Sequence, residues 1–293
     1  MGAIARRLLP VIERELGLLV YPNQNTCWHY DDKVAQSYLL KAKGIPIPKT
    51  WTWYRASDAL DWCEHEACFP VVLKLSGGAG SENVILLKSF QEAKWWIGRM
   101  FSVGVFNLNC IEIKEPCWGL GKRIKGAGKA LLFGRPLWTP RPITGLEFHK
   151  GYMLVQEFLP DNHYDTRVTV IGNRAFAFRR MNRPNDFRAS GSGVLDYESH
   201  DVDIEFIKLA FRTALSLGTQ SIAIDGLYNC LQRPVVGEVS YTYVSSAIRD
   251  CPGHWVLNGN VDDGKLVWVN GSMWPEEAQV ADYTESLSME GLS

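Results

Sequence analysis

The chain has 293 residues and is poor in several signatures at once. Its seven cysteines, Cys27, Cys63, Cys68, Cys110, Cys117, Cys230 and Cys251, are odd in number and widely spread, and none forms a Cys-x-x-Cys pair. That spacing excludes a zinc ribbon and a dense disulfide framework. Reduced structural thiols and a cytoplasmic setting are expected instead. The six histidines include no His-Glu-x-x-His pair. Lys+Arg is 31 against Asp+Glu at 32, a net charge of −1, so the overall basic field of a typical nucleic-acid binder is missing. No apolar run approaches the roughly 20 residues of a membrane span. Near the start, residues 8–12 are apolar, but Glu13, Arg14 and Glu15 follow at once, too early for an export signal. Met1-Gly2 opens like a lipidation site, yet Arg6 stands where Ser or Thr is needed.

What is present is ordinary globular material, 46% hydrophobic and 22% charged. Ile4, Leu8, Ile12, Leu16 and Leu19 recur at helical spacing and predict a helix over 3–19. Residues 22–30 are expected to be loop. A second helix opens near Asp31 and ends at Gly44, with Pro46 and Pro48 preventing continuation. Strand character marks 50–54, and Ser57-Asp58 can cap a helix to about Glu66. The β-branched run 69–75 and the segment 83–87 predict two strands around a Gly-Ser loop. Ser89 with Glu92 is a capping box for a helix to about Phe101. Residues 104–150 read as a basic, Gly-rich insertion, either a plain solvated loop or a docking surface for an anionic substrate. Strands then follow at 152–158, 166–171 and 175–180, the last two joined by a Gly172-Asn173 hairpin turn. Asp203 caps a helix that Gly218 closes, and 221–228 and 234–239 pair around a polar turn. The tail from Thr284 is expected to fray.

Several polar residues sit where apolar ones belong. Asp225 and Glu238 each interrupt an apolar strand. If those strands form a hairpin, the two carboxylates share a face, as hard oxygen ligands for Mg²⁺ or as solvent-side acids; Ser240 could add a hydroxyl. Lys74 stands in the middle of Val71-Val72-Leu73-Lys74-Leu75 and is expensive to bury without an anion. The loop Ser76-Gly77-Gly78-Ala79-Gly80-Ser81 follows, able to bring backbone N–H groups to a phosphate or simply to turn the chain. It is neither a Walker loop nor Gly-x-Gly-x-x-Gly before a helix. Arg188, beside a Ser-Gly-Ser-Gly stretch, suits an anion clamp. Asp165 and Arg167 fall on one side of a strand, where a cross-strand charge pair is the plain alternative.

Taken in order, Asp32-Lys33, Gly44-Ile45-Pro46-Ile47-Pro48, Pro70-Val71-Val72-Leu73-Lys74, the 76–81 loop, Gln156-Glu157-Phe158, Asp165-x-Arg167, Asp186-Phe187-Arg188, Asp225 and Glu238-x-Ser240 resemble the ATP-grasp superfamily. The nearest likeness is to the ribosomal-protein glutamate ligase type, over roughly 31–245. The close, from Pro252-Gly253-His254-Trp255 to Trp274-Pro275, is similar to uncharacterised ATP-grasp proteins of polysaccharide gene clusters.

The resemblance implies an α+β ATP-grasp fold, two α+β lobes with ATP between them. Residues 1–30 would form a short N-terminal helix and loop, 31–155 a first lobe with the 104–150 insertion, and 156–293 a second lobe with the metal site. It implies that Lys33 and Lys74 touch the α/β-phosphates and that Ser76, Gly77, Gly78, Gly80 and Ser81 close over the nucleotide. Gln156, Glu157 and Phe158 would line the adenine side, Glu157 and Phe158 holding the base by backbone groups. Asp165, with Arg167 next to it, would lie at the ribose. Lys74 and Arg188 would be catalytic, and Asp225, Glu238 and Ser240 would hold Mg²⁺. Ser240 replaces the usual Asn, which weakens the expectation of a second metal. The implied reaction joins a carboxylate to an amine through an acyl phosphate, converting ATP to ADP and phosphate. The substrates would be small-molecule, glycan or peptide carboxylates and amines. A phosphotransferase and a nucleotide-binding module without turnover are the alternatives, and a nucleic-acid binder ranks last.

Overall fold

The computed structural model describes residues 3–78, 83–106, 108, 147–184, 186–198, 202–261 and 263–290. Gly80, Ser81 and most of the 104–150 insertion lie outside the described residues. The chain divides into two compact units, 52–154 and a larger one made of 1–51 with 155–293. No helix among the described residues is long and apolar enough to cross a membrane.

In the smaller unit, α4 (Ala56–His65) and α5 (Phe90–Ser102) accompany strands β2 (Val71–Lys74) and β3 (Val84–Leu87). Strands β1 (Thr50–Trp53) and β4 (Met153–Glu157), through which the chain passes to the larger unit, complete a four-stranded sheet in the order β1-β4-β2-β3. Ser89 caps α5 by accepting from the Glu92 N–H, and the Glu92 carboxylate reaches back to the Lys88 N–H at 2.8 Å. Leu73, Leu75, Leu87, Ile97, Met100, Met153 and Leu154 are buried.

The larger unit is built on an antiparallel sheet in the order β11-β10-β6-β5-β8-β9, with β7 (Leu195–Asp196) added on β6. Its strands are β5 (Tyr164–Ile171), β6 (Arg174–Met181), β8 (Ser221–Tyr228), β9 (Pro234–Ser240), β10 (Gly253–Asn258) and β11 (Lys265–Asn270). Helix α6 (Ile204–Leu217) starts at the Asp203 cap and stops at Gly218, whose φ of +64° suits a residue without a side chain. Its buried Phe206, Ile207, Ala210, Phe211 and Ala214 pack on Val168, Val170, Ile222, Ile224, Val236 and Val239, which cover one sheet face. Each large side chain buried there contributes about 1.5–3 kcal/mol. On the other face, Ile171, Phe176 and Phe178 pack with Ile248 of α7 (Ser245–Arg249), Cys251 and Ala278 of α8 (Pro275–Glu290).

The N-terminal helix is shorter than its apolar spacing predicts: α1 (Ala3–Pro10) gives way to a π-helical turn at Val11–Glu15. Pro10 supplies no N–H, so the regular hydrogen-bond ladder is interrupted there. Within the expected loop 22–30 lies a single helical turn, α2 (Gln24–Cys27), capped by the Asn23 side chain. Helix α3 (Lys33–Ala42) begins at Asp32, whose carboxylate accepts from the Ala35 N–H at 2.9 Å. At the other end of the chain, α8 runs past Thr284 to Glu290 instead of fraying. The hydroxyls of Thr284, Ser286 and Ser288 each bond a carbonyl one turn back, and Glu285 pairs with Arg174.

Candidate functional site

Strand alternation decides which side chains meet. The two-residue turn at Gly172-Asn173 sets Asp165 opposite Arg180 and Arg167 opposite Phe178. On its other edge β5 pairs with β8, placing Arg167 opposite Asp225, and β8 in turn places Asp225 opposite Glu238 of β9. Directly opposed residues point to the same face. Asp165, Arg167, Arg180, Asp225 and Glu238 therefore form one charged row, on the face turned away from α6.

Glu238 joins that row because of one extra residue. The β8–β9 register shifts between Asp225 and Gly226, leaving Gly237 as a bulge. Val236 and Val239 both face α6 although they are three positions apart. Without the bulge they would point to opposite faces, and Glu238 would point into the core. Gly237 fits the spot closely: a Cβ there would stand 3.2 Å from the Asp225 carbonyl oxygen.

The charges in the row satisfy one another. Arg167 donates from Nε and Nη2 to the two oxygens of Asp225, at 2.7 and 2.9 Å. Arg180 donates to both oxygens of Asp165, at 2.7 and 2.5 Å, and reaches Asp225 Oδ2 at 2.7 Å. These four side chains are only 8–18% exposed. Burial drives the Asp165 carboxyl up to about 6, and the Asp225 charge adds to the shift, outweighing the Arg180 contacts. Asp225 goes the other way: against the upward push of burial, Arg167 and Arg180 hold it below the usual carboxylate range. Asp225 thus carries its charge firmly, while Asp165 is the group that protonates first.

Glu238 is more open, with its side chain 36% exposed, and Lys33 Nζ lies 3.2 Å from its Oε1. Lys33 is buried at the start of α3. That helix end is fastened to β9 by Gln36, whose Nε2 donates to the Val239 carbonyl at 2.9 Å and to the His29 carbonyl at 3.1 Å. Ser240 uses its hydroxyl in a local turn, accepting from the Thr242 N–H and meeting the Thr242 hydroxyl and carbonyl at 3.0 Å. Tyr241 packs on Tyr30 beside that turn, with ring centroids 4.7 Å apart.

Arg188 is paired with Asp186 two residues before it, Nε and Nη2 donating at 2.7–3.0 Å. Burial pushes the Asp186 carboxyl up, but the Arg188 hydrogen bonds prevail and hold it below its usual value. Gln156 Nε2 donates to the Thr50 hydroxyl, while the Glu157 N–H and carboxylate are both engaged by the Lys49 backbone. Phe158 meets the edge of Phe187 at 5.6 Å, a contact the sequence does not announce. In the smaller unit Lys74 closes β2, half-buried, opposite Val84. The loop after it is braced. The Ser76 N–H donates to the Tyr152 hydroxyl at 2.7 Å, and Asn83 Nδ2 donates to the Gly77 carbonyl at 2.8 Å. Gly78 has φ +117°, and a Cβ there would come within 2.5 Å of the Asn83 amide. Arg180 and Asp186 are the charged residues that motif reading leaves out of the site, and both neutralise residues it includes.

A divalent cation is implied by the resemblance, and the donors suit one in part. Glu238 offers a hard, half-open carboxylate, whereas both Asp225 oxygens accept from guanidinium groups and the Ser240 hydroxyl is committed to its turn. Among the described residues no group of three or more His, Cys, Asp or Glu gathers as a metal cluster.

No protein-family model matches the chain, and no curated protein matches it. Solved structures do. N5-carboxyaminoimidazole synthetase from Staphylococcus aureus complexed with ADP is similar at 11% identity over 83% of this chain and 52% of that one, with TM-score 0.52. Biotin carboxylase from Campylobacter jejuni follows at 12%, 83%, 48% and 0.51. The ATP-grasp ligase PsnB complexed with a minimal precursor gives 16%, 84%, 63% and 0.50. The chain thus spans about half to three fifths of the length of these proteins.

Proposed function

We propose, for a chain that has the ATP-grasp fold, that it is an ATP-dependent ligase joining a carboxylate to an amine with release of ADP and phosphate. The observation that carries the reading is the charged row of the larger unit, where Asp225 and Glu238 oppose each other and Arg167, Arg180 and Lys33 supply matching positive charge. Phosphoryl transfer asks a protein mainly for positioning and for charge placed in advance. Arg167 and Arg180, locked by Asp225 and Asp165, cannot reorient, so their positive ends cost no reorganisation when a phosphate arrives. Lys33 and Lys74 supply ammonium groups, and Arg188 a guanidinium steadied by Asp186. A divalent cation, held by Glu238 with Asp225 and Ser240 as its neighbours, would neutralise phosphate oxygens.

A carboxylate resists attack by an amine because its oxygen leaves poorly. Transfer of the terminal phosphoryl group makes an acyl phosphate, the amine attacks the acyl carbon, and phosphate departs. Lys74 and the braced loop at 76–78 are the groups of the smaller unit assigned to the nucleotide. The thiols of Cys63, Cys68, Cys230 and Cys251 suit a reducing cytoplasm. A second reading, nucleotide binding without turnover, draws support from the Ser240 turn and the Asp186–Arg188 pair. The deciding experiment measures ADP release from the full chain with Mg²⁺ and ATP against a panel of carboxylates and amines, uronic acids and amino acids included. Ligation predicts ADP only when both partners are present, with an amide product by mass. AMP and pyrophosphate, a phosphorylated hydroxyl product, or ATP binding without ADP release would each reject it.

A further inference from the structure

Strands β5, β6, β8, β9 and β10 each bury part of their length, but no residue of the edge strand β11 is buried, although Leu266, Val267, Trp268 and Val269 are apolar. The hydrogen-bond pattern shows which backbone groups this edge leaves open. The Leu257 N–H donates to the Asn173 carbonyl at 2.9 Å, so Leu257 turns its backbone groups toward β6. Leu266 lies opposite Leu257 and therefore turns its own N–H and C=O away from β10. By alternation Trp268 and Asn270 do the same, while Gly271 turns back and donates to the Pro252 carbonyl at 2.8 Å. Among the described residues no strand lies beyond β11, and these outward groups meet no backbone partner. Sheet edges are ordinarily blunted by a charge within the strand, a proline or a bulge. Strand β11 has no proline, pairs with β10 without a register shift, and carries a single charge, Lys265, at its very start.

We propose that β11 pairs antiparallel with the β11 of a second copy, joining two sheets into one across a two-fold axis at Trp268. That register sets Leu266 opposite Asn270 of the other copy and Trp268 opposite itself, so every outward N–H and C=O of the three residues finds a partner. Val267 then faces Val269 of the other copy in the closely spaced, non-hydrogen-bonded pairs, and Val269, 38% exposed, is covered. Charge favours a second copy as the occupant. Lys265 meets Gly271 and not another lysine, at the strand end that leads into the acidic first turn of α8, Glu276 and Glu277, while Arg249 nearby is already paired with Asp250. The dimer does not depend on the ligase reading. The test is sedimentation of the full chain, without nucleotide, at concentrations up to about 100 µM, where a micromolar dimer is populated. The parent should sediment as two chains. Val269→Lys, which guards the edge with a charge, should weaken association by about tenfold or more. Val280→Lys, at an exposed valine of α8, should leave it unchanged. If Val269→Lys does not fold by circular dichroism, Asn270→Pro serves in its place, because it removes an outward N–H and spares the ladder to β10. The register is read by mixing Val267→Cys and Val269→Cys chains under mild oxidation, where peptide mapping should find position 267 of one chain joined to position 269 of the other. A monomeric parent, a dimer that the edge variant does not weaken, equal weakening by Val280→Lys, or the absence of that cross-link overturns the proposal.

Discussion

Exchange of Asp225 for Asn tests the charged row directly. The amide keeps the shape of the side chain but removes the negative charge that Arg167 and Arg180 share. Arg167 then faces no carboxylate across the strand pair, and Arg180 keeps only Asp165. These side chains are 8–18% exposed, so the small values typical of surface ion pairs do not apply. Removing one partner of a buried pair costs about 3–5 kcal/mol, a large share of the roughly 5–15 kcal/mol that holds a domain together. For a unit of this size each kcal/mol lowers the melting temperature by about 2–4 °C, so a fall of roughly 6–20 °C is expected. Scanning calorimetry at pH 7, without nucleotide or metal, is the assay. A variant melting within about 2 °C of the parent would show that the arginines do not depend on Asp225. Its principal task would then be outside the fold.

Two further outcomes follow from the same sheet. The folded-state pKa of Asp165 is raised, so its contribution to stability is present below about pH 4 and is lost as pH rises toward 6. Denaturant titrations should show the parent losing its advantage over Asp165→Asn between pH 4 and 6, and a pH-independent difference would reject the assignment. Gly226→Ala should destabilise the larger unit by about 1–3 kcal/mol in the same titrations, because the new methyl group would meet the Phe206 ring at 2.4 Å. Equal stability would mean that α6 shifts freely on the sheet.

The parts of this structure with short-range rules could be read from residues alone. Ser89 and Asp203 cap the helices they announce, and the Gly172-Asn173 turn fixes every pair of the β5–β6 hairpin, whereas Ser57-Asp58, expected as a cap, lie inside α4, whose N-cap Arg55 makes no side-chain bond. Asp165 opposite Arg180 follows from that turn by counting, though motif reading alone passes over the arginine. Glu238 opposite Asp225 does not follow so simply, because the β8–β9 connection is longer and a bulge alters the count. Strands β10 and β11 are punctuated by Asn258-Gly259 and Asp263-Gly264, turn signals that motif reading passes over, whereas the short helix α7 owes its place to packing on the Phe176–Phe178 side of the sheet. The Lys33–Glu238 contact joins residues about 200 positions apart and is invisible to any pattern confined to a window.

The extra residue at Gly237 has a consequence for how such a hairpin can change over time. Length may be added or lost at the exposed tip around 229–233 without altering which way Glu238 aims. Loss of Gly237 itself would reverse the parity of β9 from Glu238 onward, sending the acid toward Phe206 and turning Val239 toward the arginines. The direction of that side chain is inherited as arithmetic, an odd number kept odd, and a single codon deletion there would silence the carboxylate while leaving every functional side chain in the sequence.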